Sequence, residues 1–309
     1  IVDIMKSDDK VVVATAAMPD GTGTKEALAL FPDRAWDTGI CESHAMDMLA
    51  GMAKTGCKPF FAVYSTFLQR AFDQAFQEVA LQDLPVRLCL DRAGVVGGDG
   101  AVHHGFCDIS ILRVLPNAVL LAAINEQTLK HGLQFMLEYN DGLSAIRYPR
   151  DSVTNIVSDS PPFTIGKAHC ILQSKNPKLA ILAYGSPAID ALESANRIDS
   201  NAINVYDARF AKPVDGELIE SLISQSIPII TVEDHSVIGG FGTAVIEEAH
   251  KRNLDTTLIT TLGIPDRWIG HGSRKEQLEE AGIDSVSIAT VASKILQTHR
   301  KESPVPVPS

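Results

Sequence analysis

The sequence predicts an α/β fold of two domains, each a mostly parallel sheet flanked by helices. Three observations lead there. Short apolar runs alternate with amphipathic stretches along the first half of the chain. A polar segment ending in two prolines interrupts the pattern near residue 160, and a second alternating set comes after it. The length, 309 residues, suits two domains. Strands buried on both faces read as short continuous apolar runs, and helices on both faces are what bury them.

The strand-like runs of the first half are "VVVATAA" (11–17), "KPFFAVYS" (58–65), "VRLCLDRA" (86–93), "AVLLAAI" (118–124) and "LSAIRYP" (143–149). Helical patterns lie between several of them, at 66–82 and 126–139. "GICESHAMDMLAGMA" (39–53) reads as a strand end running into a helix, with small and apolar residues after Glu42. "RDSVTNIVSDSPP" (150–162) reads as a linker. The second set is "KLAILAYGS" (178–186), "NAINVYDAR" (201–209), "IPIITVEDH" (227–235) and "TTLITTLG" (256–263). The expected organisation is therefore 1–160 and 161–300, then a Pro-rich tail, 301–309, disordered or extended.

Composition narrows the function. A net charge of −11 argues against broad binding to nucleic acid or anionic membrane. No apolar run approaches the roughly 20 residues that span a bilayer. The five cysteines are odd in number and lack CxxC spacing. Reduced, mostly buried thiols in a cytoplasmic protein fit that better than disulfides or a zinc site. "IVDIMKSDDK" carries no signal-peptide pattern, and its first residue is Ile, as expected of a chain that begins inside a longer one.

The richest motif is the loop "DRAGVVGGDGAVHHG" (91–105), at the end of an apolar strand. Loops at the carboxyl ends of parallel strands carry binding residues. Arg92, Asp99, His103 and His104 share this loop with several glycines. A metal site at Asp99 and the histidines ranks low, because nothing nearby completes a ligand set. "YSTFLQR" (64–70) opens a helical stretch with Ser65 or Thr66 as N-cap, and places Tyr64, Phe67 and Arg70 around one entrance. Arg147 and Arg150 of "IRYPR" (146–150) end a strand, and guanidinium forks suit phosphate. Each has a plainer reading: core packing for Phe67, a surface salt bridge for either arginine, a macrodipole partner for Glu42. "VIGGFG" (237–242) departs from GxGxxG, so a helix-packing turn is favoured there over a cofactor loop.

Together these stretches, with "TAAMPDGTG" (15–23), "FPDRAWDTGICESHA" (31–45), "DARFAKPVD" (207–215) and "GIPDRWIGHGSRKEQLEEAGID" (263–284), cover nearly the whole chain in order. They resemble the 1-deoxy-D-xylulose-5-phosphate synthases, thiamine-diphosphate enzymes related to transketolase. The resemblance implies a pyrimidine-binding domain followed by a transketolase C-terminal domain. The family's magnesium- and diphosphate-binding domain, with its GDG…N signature, is not matched in these residues.

By that resemblance Glu42 stands where the family places the Glu that bonds N1′ of the aminopyrimidine and assists proton removal from thiazolium C2. Phe67 would stack on the pyrimidine, and Ile40 would help hold the bent cofactor. Tyr64, Arg92 and Arg150 would grip the phosphate of glyceraldehyde 3-phosphate, with Asp99 and His103 near the reacting centre. Ser43 stands where Gln is usual, Cys41 where Ala is common, and His104 where Gln is common. The implied reaction condenses pyruvate with glyceraldehyde 3-phosphate, with loss of CO2, at the head of isoprenoid and thiamine biosynthesis. The implied assembly is a homodimer. Magnesium would be held by the unmatched domain, and the chain alone would be inactive. Two other readings stay open: a β subunit of a 2-oxo-acid dehydrogenase, which "DRAG" and the paired arginines argue against, and a non-catalytic assembly module.

Overall fold

The computed structural model describes residues 1–153, 157 and 160–302. Part of the expected linker and nearly all of the Pro-rich tail lie outside the described residues. Twelve strands are seen in this range: β1 Val11–Thr15, β2 Ala35–Asp37, β3 Lys58–Tyr64, β4 Arg87–Asp91, β5 Val119–Ala122, β6 Ser144–Arg147, β7 His169–Leu172, β8 Leu179–Tyr184, β9 Ile203–Asp207, β10 Phe210–Lys212, β11 Ile229–Ser236 and β12 Ile259–Ile264. They form two sheets, of order β10-β5-β6-β4-β3-β1-β2 and β12-β11-β8-β9-β7. Every pairing is parallel except β10 with β5 and β7 with β9. The α/β architecture is as expected, with an antiparallel edge strand on each sheet.

Each central strand divides its side chains between two cores, as the two-residue period demands. Val11, Val13, Phe60, Ala62 and Cys89 face one cluster, with Met136 and Phe210. Val12, Ala14, Phe61, Val63, Leu88 and Leu90 face the other, under the helix Glu42–Lys54. That second cluster does not stop at the first sheet. It takes in Ala180, Leu182 and Tyr184 of β8, with Phe241 and Val245 of the helix Phe241–Lys251. One core therefore joins the two halves.

Local signals explain the helix ends. Asn125 caps the helix Glu126–Glu138 by accepting from Thr128 N at 2.9 Å, and Thr128 Oγ1 accepts in return from Asn125 N at 2.9 Å. The stretch 66–82, expected as one helix, is broken instead. A 3₁₀ helix, Ser65–Ala71, runs into one α turn, a π turn at Ala75–Val79 and a final 3₁₀ turn. Neither Ser65 nor Thr66 caps it: Tyr64 holds the N-cap position with no side-chain bond. Thr66 Oγ1 donates instead to Val102 O at 3.3 Å.

The thiols also differ from expectation. All five are free, but only Cys89 is buried, and Cys41 is exposed. Cys41 lies in a lead-in that leaves the sheet after Asp37, with Ile40 73% exposed beside it. The apolar run at 39–41 therefore ends no strand. Among the described residues, no helix is long and apolar enough to cross a membrane.

Candidate active site

The order β6-β4-β3-β1-β2 determines what meets at one edge of the first sheet. Tyr64 pairs in register with Asp91, and Leu90 with Arg147, so the chain leaves β3, β4 and β6 side by side. The candidate residues cluster at those ends: Tyr64, Phe67 and Arg70 at β3, Arg92, Asp99 and His103 beyond β4, Arg150 beyond β6. Glu42 arrives from the far side of the sheet, at the start of the helix after β2.

The 3₁₀ turn orders the first group. Side chains three residues apart eclipse in such a helix, so Tyr64, Phe67 and Arg70 form a column. The Tyr64 and Phe67 rings stack with centroids 5.3 Å apart and planes 14° apart. The Arg70 guanidinium carbon lies 4.9 Å from the Phe67 centroid. His103 meets the same ring edge-on at 5.8 Å.

At the other end of the column, the Arg92 guanidinium carbon stands 3.8 Å from the Tyr64 centroid. Arg92 adopts φ 57°, a left-handed conformation rare for a bulky residue. Its contacts hold it there. Nε donates to Asp99 Oδ2 at 3.1 Å, and Nη1 donates to Asp91 Oδ1 at 3.2 Å and to Gly21 O at 3.3 Å. Arg150 Nη1 reaches the other Asp99 oxygen, Oδ1, at 3.1 Å. One carboxylate thus links both arginines. Burial pushes the neighbouring Asp91 carboxyl above its usual range, against the pull of Arg92. His103 Nδ1 lies 2.8 Å from Asp99 O, which ties the imidazole to the same turn.

Glu42 is 2% exposed, and Arg70 Nη1 donates to its Oε1 at 2.7 Å. Ser43 Oγ donates to Arg70 O at 2.5 Å, so the residue in place of the usual Gln fastens the helix to the 3₁₀ turn. His104 is buried, and its Nδ1 accepts from Val96 N at 3.3 Å. Burial lowers its pKa. Its part is to brace the loop from within.

The geometry brings together every residue that the family resemblance singled out for chemistry except Ile40, which stays on the exposed lead-in. Of the two arginines of "IRYPR", only Arg150, beyond β6, joins the site. Arg147 turns away and clasps Asp108 at 2.9 and 3.2 Å, deep between the halves. Sequence reasoning missed Gly21, where a Cβ would fall 1.9 Å from Tyr64 Oη. The "DG" at 20–21 was its only sequence signal. Among the described residues no group of three or more His, Cys, Asp or Glu side chains could hold a metal ion. At 237–242, Glu233 accepts from Phe241 N at 2.6 Å and Gly242 N at 2.8 Å. Its carboxylate fills the helix N-terminus where a phosphate would sit.

A cavity of about 260 Å³ lies between the halves, lined by Ile124, Leu129, Tyr148, Ile189 and Leu278. None of the candidate chemical residues lines it. Their own site is an open edge.

Comparison with known proteins gives this edge a context. The model of the transketolase pyrimidine-binding domain matches residues 1–155, and that of the transketolase C-terminal domain matches 166–288. The chain belongs to the transketolase family. Among curated relatives, 1-deoxy-D-xylulose-5-phosphate synthase of Thermomicrobium roseum is 41% identical over 303 residues, covering 97% of this chain and 48% of that protein. The synthase of Geobacillus sp. (strain WCH70) is 39% identical over 304 residues, with the same coverage. The chain spans about half the length of the curated relatives it matches. Among solved structures, a split-gene transketolase described as an inactive β4 tetramer superposes with TM-score 0.82 at 27% identity, covering 96% of this chain and 95% of that one. Transketolase of Campylobacter jejuni shares the fold, with TM-score 0.77 at 20% identity over 95% of this chain and 45% of that one.

Proposed function

We propose that this chain supplies the pyrimidine-binding half of a thiamine-diphosphate site in a synthase that joins pyruvate to glyceraldehyde 3-phosphate and releases CO2. The observation that carries the reading is the single edge on which buried Glu42, the Phe67 column and the Arg92–Asp99–Arg150 group meet. The synthase names of its relatives favour this acceptor over others.

The residues fit the aminopyrimidine by chemistry. Glu42 offers a carboxyl group at a protected helix start, and Phe67 offers a partly exposed ring. When bound, the cofactor supplies the carbanion chemistry that the side chains lack. Glu42 exchanges a proton with the ring nitrogen N1′. Phe67 orients the ring by stacking. Tyr64, Arg92 and Arg150 hold the acceptor's phosphate through charge-assisted bonds, and Asp99 spaces the two guanidinium groups. His103 stands beside Phe67 to move a proton at the acceptor carbonyl. Ile40 on the lead-in to the Glu42 helix and Val102 on the loop of Asp99, 73% and 79% exposed, are surfaces for the diphosphate-binding domain to cover. Magnesium and the diphosphate belong to that domain.

The split-gene structure of matching extent favours a second reading of the isolated chain, as a folded but inactive assembly. One calorimetric series separates the two. Thiamine diphosphate with magnesium is titrated into the chain alone and into the chain joined to a diphosphate-binding half. Weak binding alone, with binding and CO2 release in the joined form, supports the proposal. Tight binding by the chain alone overturns the division of the site, and no turnover in the joined form favours the inactive assembly.

A further inference from the structure

The second half of the chain reaches into the loop that carries Asp99 and His103. Gln277, on the helix Arg274–Ala281, is 1% exposed. Its Oε1 accepts from Gly97 N at 2.7 Å, and its Nε2 donates to Gly270 O at 2.9 Å and toward Gly97 O at 3.4 Å. Nearer the stem, Val95 N donates to Asp234 Oδ1 at 3.0 Å, and Val95 O accepts from Arg274 Nη1 at 2.6 Å. Gly94 and Gly105 close the stem with two mutual bonds of 2.8 Å. Gly94 is required there. Its φ is +79°, and a Cβ would lie 2.1 Å from the Asp234 carboxyl carbon.

A buried amide costs free energy unless its polar atoms are paired, so an apolar side chain would fill this space with less demand on its surroundings. Gln277 instead commits its oxygen, and part of its NH2, to one glycine of the other half. Gly97 opens the 3₁₀ turn Gly97–Asp99. Asp99 then bonds Arg92 and Arg150 through its carboxylate and His103 through its carbonyl. Movement at Gly97 is therefore movement of the whole acceptor group.

We propose that Gln277 is a positioning residue: acting through Gly97, it fixes the loop that sets Asp99 between the two arginines and His103 beside Phe67. Its consequence for catalysis rests on the proposed function, but the clamp itself does not.

The test uses Gln277→Met, which keeps the volume and removes all three bonds. Its control is Ile219→Val, a core substitution in the helix Gly216–Ser224, compared at equal loss of melting temperature. Amide hydrogen exchange of residues 97–104 and the His103 imidazole resonances are read in the full chain. Gln277→Met should speed loop exchange roughly tenfold or more and shift the His103 signals, while Ile219→Val moves neither. An unchanged loop in Gln277→Met, or an equal response in the control, overturns the proposal. In the chain joined to a diphosphate-binding half, kcat should fall roughly tenfold to a hundredfold, and unchanged kcat with a loosened loop overturns the positioning role. Absence of turnover in the parent counts against the proposed reaction only, since exchange and the His103 signals still decide the clamp.

Discussion

Arg70 donates to Glu42 Oε1 at 2.7 Å, and its guanidinium also rests 4.9 Å from the Phe67 centroid. The cation thereby occupies both features that the proposed function assigns to an aminopyrimidine. A buried carboxylate without a partner is strongly destabilising, and Arg70 supplies the partner. Its side chain is 54% exposed, so it has room to withdraw when a ring takes its place.

Glu42→Gln should leave the fold intact, because an amide oxygen still accepts from Arg70. In the chain joined to a diphosphate-binding half, turnover should fall on the order of 10²–10⁴-fold, since an amide cannot exchange a proton with N1′. Melting curves check the first expectation, and deuterium exchange at cofactor C2 checks the second. Near-normal exchange in the variant would remove Glu42 from the acid–base role.

The two arginines should separate binding from structure. Arg150 is 50% exposed and pairs with Asp99, so Arg150→Ala should cost under about 1 kcal/mol of stability. Arg92 is 13% exposed and satisfies Asp91, Asp99 and Gly21 O, so Arg92→Ala should cost about 1–3 kcal/mol. Both should raise KM for glyceraldehyde 3-phosphate far more than KM for pyruvate, which has no phosphate. The difference should shrink with an unphosphorylated aldehyde. Urea melts and paired KM measurements check this, and equal KM effects on both substrates would leave only the salt bridge.

How far the sequence could be read comes down to length scales. The apolar runs that became β1, β3 and β8 announced themselves, because their buried faces leave few polar gaps. β2 and β10 have three residues each, too few for any period, and β7 is only half buried. The residues of the candidate site were legible because chemistry-bearing types cluster after strand ends. Their arrangement was not. The column Tyr64–Phe67–Arg70 depends on a 3₁₀ turn, and three- and four-residue periods look alike over so short a stretch. Ile40 was read with the strand end because an apolar type does not say whether its side chain is packed or bare. The bond from Gln277 to Gly97 spans 180 positions and has no local signature.

Stability should depend on pH through His235. Burial holds its pKa down to about 4, with Asp108 pulling upward and Arg147 pushing down. An unfolded histidine titrates near 6.5. Between those values the unfolded chain takes up a proton that the folded chain refuses, so stability falls as pH drops from about 6.5 to about 4 and levels off below. Glu233, pushed up to about 7 by burial, works the other way: its contribution is full below the ordinary carboxylate range and is lost as pH rises through about 7. The readout is therefore a difference. His235→Gln should lose less stability than the parent on acidification through that window, measured by urea midpoints at successive pH values. Parallel curves would show that His235 is not the group responsible.

The two halves should unfold together, and Phe210 offers a way to see it. On β10, it comes after β9 in sequence yet pairs with β5 in the first sheet. It is fully buried and meets Phe135 and Phe163 edge-on, each with centroids 5.6 Å away. Phe210→Ala should cost about 3–5 kcal/mol through lost burial and the cavity left behind. Amide hydrogen exchange in urea can report where that loss is felt: Val11–Thr15 in β1 of the first sheet, and Leu179–Tyr184 in β8 of the second. Because one hydrophobic cluster runs from Leu90 through Tyr184 to Phe241, both strands should lose protection at the same urea concentration, and Phe210→Ala should move both midpoints together. If the halves were separate folding units, the β1 transition would shift while the β8 transition stayed, and the shared core would not be what couples them.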